Sequence, residues 1–259
     1  MDSRPIGVYD SGMGGISLWR AIRSSLPNES IVYLGDGLNC PYGDKSSAQI
    51  IKFALKAVDT LIARNCKMIV IACNTATSTA ISLLRETYPD MPFVGMEPAV
   101  KPACTQTRSG KVAVLATKRS LDSELFAATL SKYATGVEVI KQVGEGFVEL
   151  VEKGLEESEE AYTLVKPIVD IIADKDVDKI VLGCTHYPFL SKQIDRAIAG
   201  RKIDVIDPSP AIIRRIEKLL LQFNIAACES GAKQEDEFIS FDGNEYCNKL
   251  KNKAISSII

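Results

Sequence analysis

Two short runs of wholly apolar residues, Ile69-Val70-Ile71-Ala72 and Ile180-Val181-Leu182-Gly183, constrain this chain more than any other feature. Neither alternates apolar with polar residues, so neither suits a strand with one wet face. A run this short, bounded by polar groups, reads as a strand buried on both faces. Such strands belong to parallel sheets covered by helices on either side. Comparable runs at 6–10, 31–34, 93–96, 111–116 and 203–206 alternate with stretches of helical spacing. In residues 46–65, apolar groups fall at 48, 51, 54, 55, 58, 61 and 62, with Ser46 or Ser47 placed to cap the helix. Further helices are expected over 76–88, 120–133, 145–155, 159–174 and 210–223, and further strands at 137–141 and 237–241. The alternation predicts an α/β fold with parallel-rich sheets.

Each of the two apolar runs leads into a cysteine, Cys73 and Cys184, read here as the last residue of its strand. In open α/β sheets, ligands bind beyond the carboxyl ends of the strands. The surroundings of the two thiols also echo each other. Tyr9-Asp10-Ser11 ends one leading strand and Leu115-Ala116-Thr117 ends another. Ser11 precedes Cys73 by 73 − 11 = 62 positions, and Thr117 precedes Cys184 by 184 − 117 = 67. Similar offsets predict two pseudo-symmetric α/β domains, residues 1–97 with 209–259 and residues 98–208, with the active site in the cleft between them. Two thiols facing one ligand suit chemistry in which one face of a substrate loses a proton and the other gains one.

Composition narrows the remaining choices. The charge is 31 − 33 = −2 with no basic block, which argues against a nucleic-acid partner. Seven cysteines without a CxxC pair do not form a disulfide framework. The start Met1-Asp2-Ser3-Arg4-Pro5 does not read as a signal peptide, and no apolar stretch reaches membrane-spanning length. The expectation is a cytoplasmic protein with reduced thiols and no membrane partner. A homodimer is left open. Cys40, Cys66, Cys104, Cys228 and Cys247 are read as small packing residues.

Several motifs admit more than one reading. Asp10-Ser11-Gly12-Met13-Gly14-Gly15 is a glycine-rich turn after a strand; it could hold a phosphate at a helix start, or a ligand carboxylate on backbone N–H groups. It matches neither a P-loop nor a dinucleotide fingerprint. His186 is the only histidine and lies two positions from Cys184. That pair lacks the further ligands a metal needs, and histidine suits proton transfer near neutral pH. Glu149 and Glu152 share a helix face that reads equally as solvated acid. A cysteine hydrolase with a histidine base, or a two-domain binding protein without chemistry, stays open at this level.

Taken together, Asp10-Ser11-Gly12-x-Gly14-Gly15, Pro41-Tyr42-Gly43, Cys73-Asn74-Thr75-Ala76 and Gly183-Cys184-Thr185-His186-Tyr187-Pro188 resemble the glutamate racemases of the aspartate/glutamate racemase superfamily. The resemblance covers about residues 6–215 and includes Val94-Gly95-Met96-Glu97-Pro98-Ala99. His186 favours the glutamate over the aspartate branch; an aspartate racemase or a decarboxylase is the nearest competitor. The resemblance implies a racemase that needs no cofactor and no metal, interconverts L- and D-glutamate and supplies D-glutamate for peptidoglycan. It also implies roles. Cys73 and Cys184 are the two acid/base groups, Asp10 assists Cys73, His186 assists Cys184, and Glu152 is a third assisting acid. Ser11, Pro41, Tyr42, Gly43, Asn74, Thr75, Thr117, Ser120 and Thr185 match substrate contacts, with Ser120 keeping a hydroxyl where the family commonly has threonine.

Overall fold

The computed structural model describes residues 2–228 and 235–256. The strands are β1 (Ile6–Asp10), β2 (Ile31–Gly35), β3 (Met68–Ile71), β4 (Phe93–Gly95), β5 (Lys111–Ala116), β6 (Glu138–Val143), β7 (Lys179–Gly183), β8 (Asp204–Ile206) and β9 (Glu237–Ile239). The α-helices are α1 (Ile16–Ser25), α2 (Ser47–Ala63), α3 (Asn74–Thr87), α4 (Val100–Gln106), α5 (Lys118–Leu121), α6 (Glu124–Tyr133), α7 (Phe147–Glu152), α8 (Glu159–Ala173), α9 (Ser191–Ala197), α10 (Ser209–Gln222) and α11 (Asn244–Ile255). The chain divides into two compact units, Met1–Met96 with Ser209–Ile259, and Glu97–Pro208.

The first unit holds a five-stranded sheet in the order β4-β3-β1-β2-β9, with every pairing parallel. Its inner strands β1, β2 and β3 are buried along their whole length, as uninterrupted apolar sequence requires. Asp10 pairs with Gly35, and Tyr9 with Ile71. The carboxyl ends of the three strands therefore lie side by side. Helix α2 starts with a full capping box: the Ser46 side chain accepts from the Gln49 N–H at 3.3 Å, and the Gln49 side chain accepts from the Ser46 N–H at 2.9 Å.

The second unit holds a four-stranded parallel sheet in the order β6-β5-β7-β8. Numbered within its own unit, each sheet reads second-first-third-fourth strand, with β9 as an addition to the first sheet. The echo in the sequence is thus a repeat of topology. Val112, Val114, Ala116, Leu121, Phe126 and Val181 form one apolar core with Val100 and Ala103 of α4. Each large aliphatic or aromatic side chain buried in this way contributes about 1.5–3 kcal/mol.

Several elements differ from the sequence reading. Residues 120–133 form two helices, because Ser123 accepts from the Phe126 N–H at 3.2 Å and caps a fresh start for α6. Helix α7 spans only Phe147–Glu152; Gly146 and Gly154, both with φ of 76°, bound it. Helices α1, α4 and α9 add to the elements that the sequence pattern predicts; they are short or follow glycine or proline. Neither cysteine is a strand residue. β3 ends at Ile71 and Cys73 is the N-cap of α3, whereas β7 ends at Gly183, just before Cys184.

Asp178 ties the amino-terminal side of the second sheet together. It is buried, and its carboxylate accepts from Thr107 Oγ1 (2.6 Å), Arg108 N (2.6 Å) and Ser109 N (3.3 Å). Burial opposes its ionisation, but these donors outweigh burial and hold the carboxyl at about 2. A depressed carboxylate stabilises the fold above its unfolded pKa and loses that contribution as pH falls through the folded value. Asp178→Asn should therefore cost about 1–3 kcal/mol at neutral pH by urea denaturation. The gap from wild type should close between about pH 4 and pH 2. A gap that stays constant across that interval would refute the assignment.

Candidate active site

In the first unit, the first and third strands bring a carboxylate and a thiol to the same edge of the sheet. Asp10 ends β1 and is fully buried, and its Oδ2 accepts from the Gly12 N–H at 3.0 Å. The glycine turn after it wraps closely: a Cβ on Gly15 would lie 2.7 Å from Asp10 Cβ and 2.8 Å from Tyr33 Oη. The Tyr33 hydroxyl donates to Gly12 O at 2.8 Å and fixes the turn from beneath. On the neighbouring strand, Ala72 N donates to Tyr9 O at 2.8 Å, which sets Cys73 one residue beyond the level of Asp10. Cys73 Sγ accepts from the Ala76 N–H at 3.4 Å. The thiol thus occupies the place of a serine or aspartate cap, where unpaired N–H groups and the helix dipole favour negative charge.

Asn74, Thr75 and Ser11 are buried beside it. Asn74 Nδ2 donates to Met96 O at 3.3 Å, while the buried Asn74 Oδ1 has no hydrogen-bond partner among the described residues. A buried acceptor left unpaired is costly unless a ligand donor completes it.

The loop after β2 carries Pro41, Tyr42 and Gly43, and the Cys40–Pro41 peptide is cis. Sequence reasoning placed Tyr42 among the substrate contacts; the structure shows its side chain buried and already engaged. Tyr42 Oη donates to Asp36 Oδ2 at 2.6 Å and lies 2.6 Å from Tyr9 Oη. Asn39 Nδ2 reaches both Asp36 oxygens, at 2.9 and 3.0 Å. Burial pushes the Asp36 carboxyl up, against hydrogen bonds from Tyr42 and Asn39 that favour the carboxylate. Burial also drives both phenols well above the usual tyrosine value, so both stay neutral donors. Sequence reasoning missed Tyr9, Tyr33 and Asp36. The position of Asp36 directly after the second strand, one residue beyond the level of Asp10, is the available signal.

The second unit supports its thiol differently. His186 follows Cys184 by one tight turn, closed by Tyr187 N donating to Cys184 O at 3.1 Å. Cys184 Sγ lies 3.9 Å from His186 Nδ1, and His186 Nε2 lies 2.7 Å from Glu152 Oε1. His186 is buried, so the line thiol–imidazole–carboxylate is held within the protein. Glu152 at the end of α7 takes this place, while Glu149 on the same helix is exposed. Tyr187 braces the turn: its hydroxyl donates to Gly144 O at 3.1 Å and its ring meets Phe147 at 5.2 Å between centroids. Thr185 is buried beside Cys184. At the end of β5, Thr117 caps α5, accepting from Ser120 N at 3.3 Å and donating to Ser120 Oγ at 2.9 Å. A Cβ on Gly183 would stand 2.7 Å from Ala116 Cβ, so this close approach of β5 and β7 needs glycine.

Two further thiols, Cys66 and Cys104, are buried. Burial pushes Cys66 up to about 12. Cys104 packs into the core of the second unit, and burial raises it too.

Comparison with known proteins agrees on one family. A family model described as Asp/Glu/Hydantoin racemase matches residues 17–216. A glutamate racemase of Roseiflexus sp. is 44% identical over 218 residues, 84% of this chain and 80% of that protein. The crystal structure of a Bacillus anthracis glutamate racemase superposes with a TM-score of 0.88 at 27% identity, over 99% of this chain and 95% of that one. A Francisella tularensis glutamate racemase, solved in complex with D-glutamate, superposes with a TM-score of 0.85 at 29% identity, over the same shares.

The Asp36 cluster makes a stability prediction. Tyr42→Phe removes a donor from a buried carboxyl and should cost about 1–3 kcal/mol in urea denaturation. An unchanged midpoint and slope would mean that the Tyr42–Asp36 bond contributes nothing.

Proposed function

The chain belongs to the Asp/Glu/hydantoin racemase family, and on that footing we propose that it is a cofactor-independent glutamate racemase. It interconverts L- and D-glutamate by proton transfer at the α-carbon, with Cys73 and Cys184 as the two acid/base groups. In the cell this reaction supplies D-glutamate for peptidoglycan, and the enzyme works in the cytoplasm. The observation that carries the reading is the matched construction of the two sheets. Each unit sets one cysteine just past its third strand, and each cysteine has its own polar support.

The chemistry follows from these supports. The Cys73 thiolate takes the α-proton from D-glutamate, and the Cys184 thiol delivers its proton to the opposite face. L-glutamate forms and the thiolate now resides on Cys184; the reverse reaction exchanges the roles. Asp10 assists at Cys73. His186 shuttles charge at Cys184, and Glu152 orients the imidazole through Nε2. Carbanion character at the α-carbon needs fixed donors and little water. Backbone N–H groups of the Pro41–Tyr42–Gly43 loop and the hydroxyls of Ser11, Thr75, Thr117, Ser120 and Thr185 supply donors for the carboxylates. The unpaired Asn74 Oδ1 suits the substrate ammonium.

The line Cys184–His186–Glu152 also suits a cysteine nucleophile with a histidine base. Such a hydrolase would leave a trapped acyl-enzyme and give Cys73 no task.

The direct test is incubation with each glutamate enantiomer in D₂O after dialysis against chelator. Racemisation with deuterium entering the α-position is expected, and activity that vanishes on chelation and returns with metal would overturn the cofactor-independent reading. Cys73→Ala and Cys184→Ala should each lower the rate by about 10²–10⁴-fold or more in a folded protein, while Cys228→Ala should not.

The helpers can be separated as well. The enantiomers have equal free energy in water, so kcat/KM must be equal in both directions for every variant. Asp10→Asn and His186→Asn can differ only in kcat and KM taken separately, and in the isotope effect of α-deuterium in each direction. Asp10→Asn should enlarge the effect for the step that Cys73 performs, and His186→Asn for the step that Cys184 performs. Wild-type kcat in both directions for both variants would remove Asp10 and His186 from the mechanism.

A further inference from the structure

We propose that Tyr246, on the C-terminal helix, is a positioning residue for the Pro41–Tyr42–Gly43 loop, so that the last segment of the chain tunes substrate binding without touching substrate. The inference rests on the racemase reading for its kinetic part and on packing for the rest.

The contact is unusually close. A Cβ built on Gly37 would lie 2.5–2.7 Å from three ring carbons of Tyr246, a separation that real Cβ atoms do not adopt. Gly37 has no left-handed φ, so this ring is the reason that the position must be glycine. One turn further along α11, Leu250 packs on Gly35, where a Cβ would stand 3.0 Å from Leu250 Cδ1 and 2.8 Å from Gly12 O. Tyr246 and Leu250 are both buried. The helix is fixed in turn by an Arg20 hydrogen bond to Lys253 O, and β9 just before it pairs with β2, Leu34 opposite Ile239. The C-terminal segment therefore grips the same strand that feeds the loop.

From Gly37 the restraint runs directly into the loop. Gly37 starts a single 3-10 turn, and its carbonyl accepts from Cys40 N at 3.3 Å, one residue before Pro41. Asn39 and Tyr42 then close on the Asp36 carboxylate. The loop is thus clamped at its root by an aromatic ring and at its tip by a buried carboxyl. A ring removed from Gly37 frees the root while the tip stays tied. Backbone groups that must meet a carboxylate within a few tenths of an ångström then lose their fixed placement.

Two readouts on the full-length chain decide the matter. In Tyr246→Ala, KM for both enantiomers should rise about fivefold or more with kcat changed less than about twofold, the signature of binding lost equally from ground and transition state. Amide exchange at residues 37–43 should accelerate about tenfold or more, with β1 and β3 unchanged, because only the loop opens more readily. Tyr246→Phe keeps the ring on Gly37 and should restore both readouts. If Tyr246→Ala fails to fold, Gly37→Ala decides by the same two measurements, since it pushes the ring away with α11 intact. A folded Tyr246→Ala or Gly37→Ala protein with wild-type KM and wild-type exchange at 37–43 overturns the proposal. A wild-type protein that does not racemise glutamate instead overturns the racemase reading, and the exchange measurement still settles the clamp.

Discussion

Parallel strand pairing is the constraint on which the rest depends. A parallel ladder sends every strand in the same direction, so all carboxyl ends emerge along one edge of the sheet. The chain must then cross back through a helix, whose amino terminus tends to start near that edge. Acidic and polar side chains that would be unwelcome in the apolar sheet are stable there, because unpaired backbone N–H groups are at hand. Asp10, Asp36 and Cys73 occupy such positions in the first unit, and Thr117 and Cys184 in the second. Conversion of any one strand to antiparallel would carry its terminal residue to the opposite edge and dissolve the cluster.

The two units surround their thiols with different groups. Cys73 is supported by backbone: it replaces a cap side chain on α3, with Asp10 held alongside by the glycine turn. Cys184 is supported by side chains, through His186 and Glu152. The topology is repeated while the groups around each thiol are not.

Buried polar groups account for much of the local order. The Asp36 carboxyl is out of water and must be answered by donors, and Tyr42 and Asn39 come from the loop that it stabilises. The loop shape is therefore dictated by the need to satisfy one carboxylate. That need explains why Tyr42 turns inward.

Much of this was legible in the linear chain. Continuous apolar runs determine that the strands are parallel and doubly covered, and the repeated spacing from Ser11 to Cys73 and from Thr117 to Cys184 determines a repeated topology. Strand ends and chemistry-bearing residues are local properties, read from a handful of neighbours. Tertiary structure alone decided which polar groups meet. The Tyr9–Tyr42–Asp36 cluster joins residues up to 33 positions apart, Glu152 rather than Glu149 reaches His186, and Tyr246 seats on Gly37 across more than two hundred positions. No periodicity encodes such pairings, because they arise where separate elements pack and a buried donor, acceptor or ring must find whatever partner the fold brings within reach.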